Sequence, residues 1–234
     1  MRQLRKRFLA IVACVAMVVS MLPQSGVVLA ADSKAEAPYE VYRTPHEMTY
    51  ADGEMTISSE VNVVCESKID DATKARLNDI LDSKSLTVSV TDAVVEGKTN
   101  ILVGTYGSEE YVDTYVAENA DVNADLFNKI SGHYVSVAND MIIVLGVDTD
   151  AAFYGITSLK HIFAQMDGTT IRNFTIEDYA DTEIRGFIEG YYGIPWSNED
   201  RMSLMEFGGE FKMTSYVFAP KDDPYHTSKW RQLY

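Results

Sequence analysis

The sequence predicts an α/β protein in two parts: an α+β domain with a sheet layered by helices, then the first strands of a parallel β/α repeat. Three observations support this prediction. Strand-like and helix-like patterns alternate from residue 39 to residue 179. The character of the chain changes at Asp181. Residues 182–234 then follow the order strand, loop, helix, strand, loop, with which a parallel β/α repeat begins. We therefore expect domains at 31–181 and 182–234.

The first thirty residues have the features of a secretory signal peptide. Basic residues precede an almost wholly apolar run at 8–22, and Val28, Leu29 and Ala30 offer small residues to signal peptidase. An uncleaved anchor is the alternative, but the apolar run is short for a membrane span of about twenty residues. We expect cleavage after Ala30, a secreted or cell-surface protein, and no membrane contact afterwards.

The charge of the chain excludes several classes of partner. The sequence has 20 Lys and Arg against 35 Asp and Glu, and four of the basic residues lie in the signal segment, so residues 31–234 carry −19. Such a body repels phosphate backbones and anionic membranes, so no nucleic-acid partner is expected. With only Cys14 and Cys65 present, no disulfide framework is possible, and Cys65 is predicted as a small buried residue in a strand.

No motif for a cofactor or a metal is present. The chain has no glycine-rich dinucleotide motif, no P-loop, no CxxC pair and no HExxH. Its histidines are widely spaced and are better interpreted as surface or packing residues than as metal ligands: His46, His133, His161 and His226. Asn173 opens a glycosylation sequon, a pattern that is common by chance.

Hydrophobic periodicity places the elements of residues 39–181. Helices are predicted at 70–83, 108–117 and 150–165, and strands at 61–65, 86–90 and 100–104, with a mixed strand and loop at 170–179. Two hairpins are predicted, 46–50 with 54–58 around an Asp-Gly turn, and 133–137 with 141–147. In the last section, strands at 184–190 and 213–219 flank a helix that Ser197 caps.

Two segments have unusual chemistry. Residues 185–196 (RGFIEGYYGIPW) join glycines and aromatics at the end of a strand, where rings can pack on sugar C–H faces and glycine admits a close ligand; a hydrophobic plug is the equal alternative. Residues 219–226 (APKDDPYH) form a polar loop, with a solvated loop as the alternative. Asp222 and Asp223 are not assigned as an acid/base pair, because neighbours in an extended segment point to opposite sides and Pro224 favours extended geometry.

These segments carry a family resemblance. The run RGFIEGYYGIPWSNEDRMSLMEFGGEFKMTSYVFAPKDDPYH resembles the opening of the catalytic barrel of glycoside hydrolase family 84. That family includes secreted bacterial β-N-acetylglucosaminidases, some named hyaluronidases, and eukaryotic O-GlcNAcases. The earlier run AAFYGITSLK, at 151–160, resembles the non-catalytic α/β domain that precedes the barrel in families 20 and 84.

The resemblance implies a (β/α)8 TIM barrel and a substrate-assisted retaining mechanism, without cofactor or metal. In the family, the 2-acetamido oxygen of the substrate attacks the anomeric carbon, one Asp polarises the acetamido N–H, and its neighbour protonates the leaving oxygen. Because a full barrel needs about 250 residues, the barrel is expected to be truncated here. The Asp-Asp pair is expected beyond Tyr234, no catalytic residue is assigned, and the chain as given is expected to be inactive.

Three residues match the sugar pocket of the family. Gly190 matches the glycine whose carbonyl meets a sugar hydroxyl, and Lys221 matches a lysine that reaches hydroxyls at the closed end of the pocket. Tyr192 matches an aromatic residue in the same wall.

The expected function is removal of β-linked N-acetylglucosamine from glycans or glycoproteins. Hyaluronan cleavage is a second possibility, which the charge of −19 disfavours through repulsion of a polyanion. A sugar-binding module without catalysis is the third. An Asp-Asp pair in the downstream gene sequence would separate these possibilities.

Overall fold

The structure is a computed structural model that describes residues 38–189, 196–218 and 229. The described residues from Tyr39 onward belong to one compact unit. The predicted signal segment and its cleavage site lie outside the described residues, so these stay predictions. Within the described ranges, no helix has the length and apolar character of a membrane span.

The described residues form nine strands, four α-helices and a 3-10 turn. The strands are β1 Glu47–Thr56, β2 Glu60–Cys65, β3 Thr87–Val90, β4 Thr99–Thr105, β5 His133–Ala138, β6 Met141–Gly146, β7 Thr170–Asp178, β8 Gly186–Ile188 and β9 Ser215–Val217. The helices are α1 Asp71–Ser83, α2 Tyr111–Asn119, α3 Thr149–Gln165 and α4 Asn198–Glu210, and the 3-10 turn is Ala124–Asn128.

Seven of the strands form one mixed sheet in the order β1-β7-β5-β6-β4-β2-β3. The pairs β2/β3, β2/β4 and β4/β6 are parallel, whereas β1/β7, β5/β7 and β5/β6 are antiparallel. Every residue of the central strand β4 is buried. This is typical of a parallel strand that helices cover on both faces.

Each face of the sheet has its own hydrophobic core. Alternate residues of β4 separate the two: Ile101 and Val103 pack on the side of α1 and α3, whereas Leu102 packs on the side of α2 and the 3-10 turn. The helical spacing of Thr73, Leu77, Ile80 and Leu81 predicts that they share one face of α1, and all four are buried. The domain is therefore a three-layer sandwich of helix, sheet and helix, which confirms the predicted α/β class.

The first predicted hairpin is wrong. Residues 46–50 and 54–58 do not pair with each other, because β1 runs continuously through the Asp-Gly sequence and pairs with β7 along both halves. The register shifts between Tyr50 and Glu54, so the extra residues form a bulge, in which Gly53 has a φ of +85°. The Asp-Gly signal thus marks a bulge against a distant strand, which local sequence does not distinguish from a tight turn.

The second predicted hairpin is confirmed. β5 and β6 are antiparallel neighbours, and Asn139 and Asp140 form the turn with φ values of +52° and +59°. Two successive positive φ angles define a turn that matches strand twist, and Asn and Asp tolerate them. The helix predicted from residue 108 begins instead at Tyr111, and the mixed segment at 170–179 is a continuous strand. The 3-10 turn was not predicted.

Candidate functional site

The candidate site lies at the carboxyl ends of β8 and β9. The two strands are parallel, and their ladder extends one residue further because the Glu189 N–H donates to the Val217 carbonyl at 3.1 Å. In β/α folds, ligands bind at the carboxyl ends of parallel strands. Of the two segments of unusual chemistry, 185–196 contains β8, and 219–226 follows β9 in the sequence.

A glycine fixes the pairing of these two strands. A Cβ atom placed on Gly186 would lie 1.6 Å from the Ser215 carbonyl oxygen, so no other residue fits. Just before this point, the Arg185 carbonyl accepts hydrogen bonds from the N–H groups of Thr214 (2.7 Å) and Ser215 (2.9 Å). The close approach at Gly186 therefore sets which residues reach the carboxyl edge.

Helix α4 begins beside the same edge. Its predicted N-cap is confirmed: the Ser197 hydroxyl accepts from the Asp200 N–H at 3.1 Å, and the Asp200 carboxylate accepts from the Ser197 N–H at 3.2 Å. This reciprocal capping box satisfies two N–H groups at the helix start. It also fixes the position of Arg201, which follows directly.

Glu189 is a buried carboxylate at the centre of this edge. It is 3% exposed. Arg201 binds it with both ends of the guanidinium, Nε at 2.7 Å from Oε2 and Nη2 at 2.8 Å from Oε1. The Tyr216 hydroxyl donates to Oε2, and the backbone N–H of Trp196 donates to Oε1 at 3.4 Å. Each carboxylate oxygen thus accepts two hydrogen bonds, an arrangement that we call the Glu189 network (Glu189, Trp196, Arg201, Tyr216).

The Glu189 network keeps its carboxylate ionised. The hydrogen bonds from Arg201 lower the pKa of Glu189 to about 2, against the opposing effect of burial, and the bonds from Tyr216 and Trp196 act in the same direction as Arg201. Burial and the bond to Glu189 raise the pKa of the Tyr216 hydroxyl. A carboxylate held in this way is no proton donor near neutral pH, so its geometry suits holding the chain rather than acid catalysis.

The residues predicted to contact sugar lie outside the described residues. Gly190, Tyr192 and Lys221 therefore stay predictions, and so does the exclusion of Asp222 and Asp223 from acid/base roles. What the structure gives is the flanking chain: Glu189 and Trp196 on either side of residues 190–195, and Phe218 just before residue 219.

A second buried charge cluster lies at the opposite end of these strands. We call it the Asp178 cluster (Arg43, His46, His133, Asp178, Lys212). The Lys212 ammonium donates to Asp178 Oδ2 at 2.8 Å, and both side chains are almost fully buried. On the other carboxylate oxygen, Oδ1, the His46 N–H and Nδ1 donate at 3.2 and 2.9 Å, and Arg43 Nη2 lies at 3.5 Å.

His133 lies in the Asp178 cluster as a neutral ring. Its Nδ1 is 2.8 Å from the Ser131 carbonyl, so it carries the proton, and its Nε2 accepts from Lys212 at 3.5 Å. Burial lowers the pKa of His133 to about 3, and the Lys212 charge adds to this. Burial raises the pKa of Asp178, but Lys212 and the other donors outweigh it and lower the pKa to about 2. The pair is therefore an ionised carboxylate with an ammonium.

The Asp178 cluster joins the two parts of the chain. Asp178 ends β7 of the large sheet, and Lys212 lies between α4 and β9. Nearby, Glu210 at the end of α4 accepts from Lys160 (2.6 Å) and Arg76 (3.1 Å) of the helical layer. The contacts of the large sheet and its helices are thus made with the residue before β9 and with the end of α4. The Glu189 network lies at the other end of both elements, after β8 and at the start of α4. The large sheet thus packs at the end opposite to the candidate site.

Among the described residues, no group of three His, Cys, Asp or Glu side chains is suited to hold a metal ion. His46 and His133, which are far apart in sequence, do come together near Asp178, where His46 donates to the carboxylate and His133 accepts from Lys212. Cys65 ends β2 half-buried, and burial raises the pKa of its thiol to about 11. Asn173 lies inside β7 and donates to the Asp52 carbonyl at 2.9 Å.

Sequence reasoning missed the Glu189 network and the Asp178 cluster. A signal for the first was present: an acidic residue between Ile188 and Gly190, directly after an apolar strand, has to be paired if it is buried. Its partner Arg201 lies in a helix start rich in acids, where it resembles a solvated residue. No local signal linked Lys212 to Asp178.

Family models match both parts of the chain. Residues 38–179 match glycosyl hydrolase family 20, domain 2, and residues 185–234 match beta-N-acetylglucosaminidase. The first match spans the seven-stranded sheet with its helices, and the second begins just before β8. Among curated proteins, the Protein O-GlcNAcase of Rattus norvegicus and that of Mus musculus are each 41% identical over 49 residues, which is 21% of this chain and 5% of theirs.

Solved structures give the same result over more of the chain. CpGH84D is 51% identical to this chain with a TM-score of 0.80, and the match covers 84% of this chain and 33% of the CpGH84D chain. CpGH84B is 29% identical with a TM-score of 0.69, over 84% and 32%. A beta-N-acetylhexosaminidase from Bacteroides fragilis, at 14% identity and a TM-score of 0.56 over 75% and 32%, shows the fold alone. The chain spans about a third of the length of these solved relatives.

The fold and these matches define a glycosidase segment in which a family 20-type domain is followed by a strand–helix–strand unit. The chain belongs to glycoside hydrolase family 84 and corresponds to the N-terminal part of its members.

Proposed function

We propose that the chain is the N-terminal part of a secreted β-N-acetylglucosaminidase that removes β-linked N-acetylglucosamine from glycans or glycoproteins. The observation that carries this proposal is the beta-N-acetylglucosaminidase match at 185–234. It falls on β8, α4 and β9, and the residues that match the sugar pocket of the family follow those strands in the sequence.

The proposed chemistry is substrate-assisted retention. The acetamido oxygen of the substrate attacks the anomeric carbon, and an Asp pair from a later strand polarises the acetamido N–H and protonates the leaving oxygen. In this proposal the present chain supplies binding groups only, through Gly190, Tyr192 and Lys221. The hydrogen-bonded, ionised Glu189 supports the proposal that this chain supplies binding groups and no acid catalyst, because it has no proton to donate near neutral pH.

Two proteins are needed to test the proposal. The full-length enzyme, made by extending this chain along its reading frame, should release p-nitrophenol from p-nitrophenyl N-acetyl-β-glucosaminide, whereas residues 31–234 alone should not. Two strands do not close a barrel pocket. Turnover by 31–234 alone would contradict the assignment and reopen the roles of Asp222 and Asp223.

The same preparations distinguish the competing activity. Hyaluronan should be a poor substrate, because residues 31–234 carry a net charge of −19, which repels a polyanion. Release of oligosaccharides from hyaluronan with no hydrolysis of the chromogenic substrate would replace the proposal with a hyaluronidase. Sugar binding without hydrolysis of either substrate would replace it with a binding module.

Secretion is proposed from the first thirty residues. The basic start, the apolar run and Val28-Leu29-Ala30 favour removal by signal peptidase. Mass spectrometry of protein from the culture medium should place the mature N-terminus at Ala31. Retention of Met1, or a lipid on Cys14, would contradict it.

A further inference from the structure

We propose that residues 39–46 act as a strap that joins the strand unit (β8, α4 and β9) to the large sheet, so that the position of this unit depends on a segment close to the N-terminus. Trimming of the chain past residue 38 by an aminopeptidase would then loosen the unit. The proposal is independent of the proposed function, because it concerns how the two parts of the chain are held together.

The sheet domain holds the strap along its length, although the strap has no helix or strand of its own. The Tyr39 N–H donates to the Tyr50 hydroxyl of β1 at 2.7 Å. Glu40 exchanges two hydrogen bonds of 2.8 Å with the Gln165 side chain at the end of α3. Val41 is 6% exposed and belongs to the core on this face of the sheet. The strap is therefore fixed to the sheet domain without help from α4 or β9.

The first contact between the strap and the strand unit is aromatic. The centre of the Tyr42 ring lies 6.0 Å from that of Phe211, which is the C-cap residue of α4. On the sheet domain, the Tyr42 N–H donates to His161 Nδ1 at 3.3 Å, and the two rings meet edge to face at 5.6 Å. Phe211 also packs on Phe207 of α4, at 4.6 Å. Tyr42 thus contacts both α3 and the end of α4.

The second contact is shared through Asp178, whose side chain is fully buried. The strap occupies Oδ1, with the His46 N–H at 3.2 Å, His46 Nδ1 at 2.9 Å and Arg43 Nη2 at 3.5 Å. Lys212, which lies between α4 and β9, donates to Oδ2 at 2.8 Å. Because a buried carboxylate needs partners on both oxygens, loss of either set of donors leaves the charge poorly satisfied for the other. One carboxylate therefore couples the strap to the strand unit.

The strap also holds the start of the connection between the two parts, residues 179–185. Arg43 Nη2 donates to the Tyr179 carbonyl at 2.6 Å, and the His46 ring stacks on the Tyr179 ring at 3.7 Å. His46 Nε2 lies 3.3 Å from Asp181 Oδ1. The same short segment thus contacts the chain that enters the strand unit, the end of α4 and the carboxylate that binds Lys212.

The test compares two exposed tyrosines that each contact another aromatic ring. Tyr42 is 49% exposed and Tyr106 is 45% exposed. Tyr106 is the matched control, because it stacks on Phe127, at 4.2 Å, on the face of the sheet opposite to α3. Tyr42→Phe is the conservative variant, since it keeps the ring and loses only the hydroxyl that donates to Glu40.

The first measurement is hydrogen exchange by mass spectrometry on residues 31–234. A peptide from 198–213 reports on α4, and a peptide that contains β4 is the internal reference. Tyr42→Ala should accelerate exchange in α4 at least about threefold and leave β4 unchanged. Tyr42→Phe and Tyr106→Ala should exchange at the wild-type rate in α4. Equal exchange in α4 of wild type and Tyr42→Ala, or equal acceleration in Tyr106→Ala, would overturn the proposal.

The second measurement removes the whole strap. In 47–234, exchange in α4 should be at least about tenfold faster than in 39–234, while β4 stays within about twofold. Unchanged exchange in α4 would show that Glu210 and Lys212 hold the strand unit without the strap, and equal acceleration in α4 and β4 would assign the strap to the core of the sheet domain alone. Either result would refute the proposal. If 47–234 does not fold, the tyrosine variants still decide, because they leave the buried Val41 in place.

Discussion

Asp178 and Glu189 are both buried carboxylates with pKa values of about 2, but they act at different ends of the same strand unit. Asp178 pairs with the buried Lys212 ammonium and joins β7 of the large sheet to the residues that precede β9. Glu189 pairs with the Arg201 guanidinium and joins the end of β8 to the start of α4. The cost of removing two charges from water offsets much of their attraction. Each pair therefore fixes geometry more than it adds stability.

The stability of the protein should depend on His133 in acid. Below pH 6.5 the unfolded ring binds a proton, but the folded ring stays neutral down to about pH 3, so acidification between these values favours unfolding. Asp178 adds to the loss between about pH 4 and pH 2, because its folded pKa is the lower one. One such group changes the free energy of unfolding by at most about 1.4 kcal/mol per pH unit.

Urea unfolding of residues 31–234 at pH 4, 5, 6 and 7 measures this dependence. In His133→Gln the free energy of unfolding should fall less steeply with acidification than in wild type, by about 1 kcal/mol per pH unit between pH 4 and 6. Parallel pH dependences of the two proteins would contradict a neutral buried His133.

Lys221 carries the prediction for substrate binding. It follows β9 in the sequence, and a lysine ammonium can donate to vicinal sugar hydroxyls in charge-assisted bonds worth roughly 1.5–3 kcal/mol. Lys221→Met should lower kcat/KM of the full-length enzyme at least about tenfold with nearly unchanged Tm. An unaltered kcat/KM, or a loss of folding, would instead favour pairing with Asp222 or Asp223.

At the scale of elements, the strand pair β8/β9 depends on one glycine. Gly186→Ala would place a Cβ atom 1.6 Å from the Ser215 carbonyl oxygen, so the strands would have to separate. We expect a loss of about 1–3 kcal/mol and faster amide exchange at 186–189.

Gly209→Ala provides the matched comparison for this prediction. Gly209 lies in α4, and an added Cβ would meet Nη2 of Arg76 at an ordinary 3.5 Å. This variant should gain about 0.5–1 kcal/mol, because alanine loses less entropy than glycine in a helix. Equal stability of the two variants in urea would refute the close approach at Gly186.

Helices with a regular apolar face were the elements that sequence predicted well. For α1, the buried face follows from spacing alone, since a helix face depends only on residues within a few turns. The segment of β1 around Gly53 was assigned wrongly, because its partner is β7, more than a hundred residues away. A strand has no internal hydrogen bonds, so its partner decides its shape.

At the scale of the whole molecule, the first part of the chain has a complete core of its own. Both faces of its sheet are covered by helices or a 3-10 turn from residues 39–181. The second part joins it at the end opposite to the candidate site, through the Asp178 cluster and Glu210. Among the described residues, the sheet domain therefore contacts the strand unit at the end opposite to the carboxyl edge of β8 and β9.

Residues 39–181 should fold alone. The isolated fragment 39–181 lacks Lys212, so Asp178 keeps Arg43 and His46 as its basic partners. We therefore expect a cooperative thermal transition at a lower Tm than that of 39–234. Circular dichroism and dispersed amide spectra check this. Asp178→Asn should lower the Tm less in the excised domain than in 39–234. A non-cooperative or unfolded fragment would show that its core needs the second part.

The sequence by itself determined the family, the α/β class, the helices and the β8–α4–β9 order, because hydrophobic period, caps and a long matching run are local properties of the chain. Tertiary structure alone decided the strand order β1-β7-β5-β6-β4-β2-β3, the bulge at Gly53, and the pairs Lys212–Asp178 and Arg201–Glu189. The physical reason is that burial selects the partner of a charge or a strand edge from the whole chain, and which groups burial brings together depends on every layer packing at once.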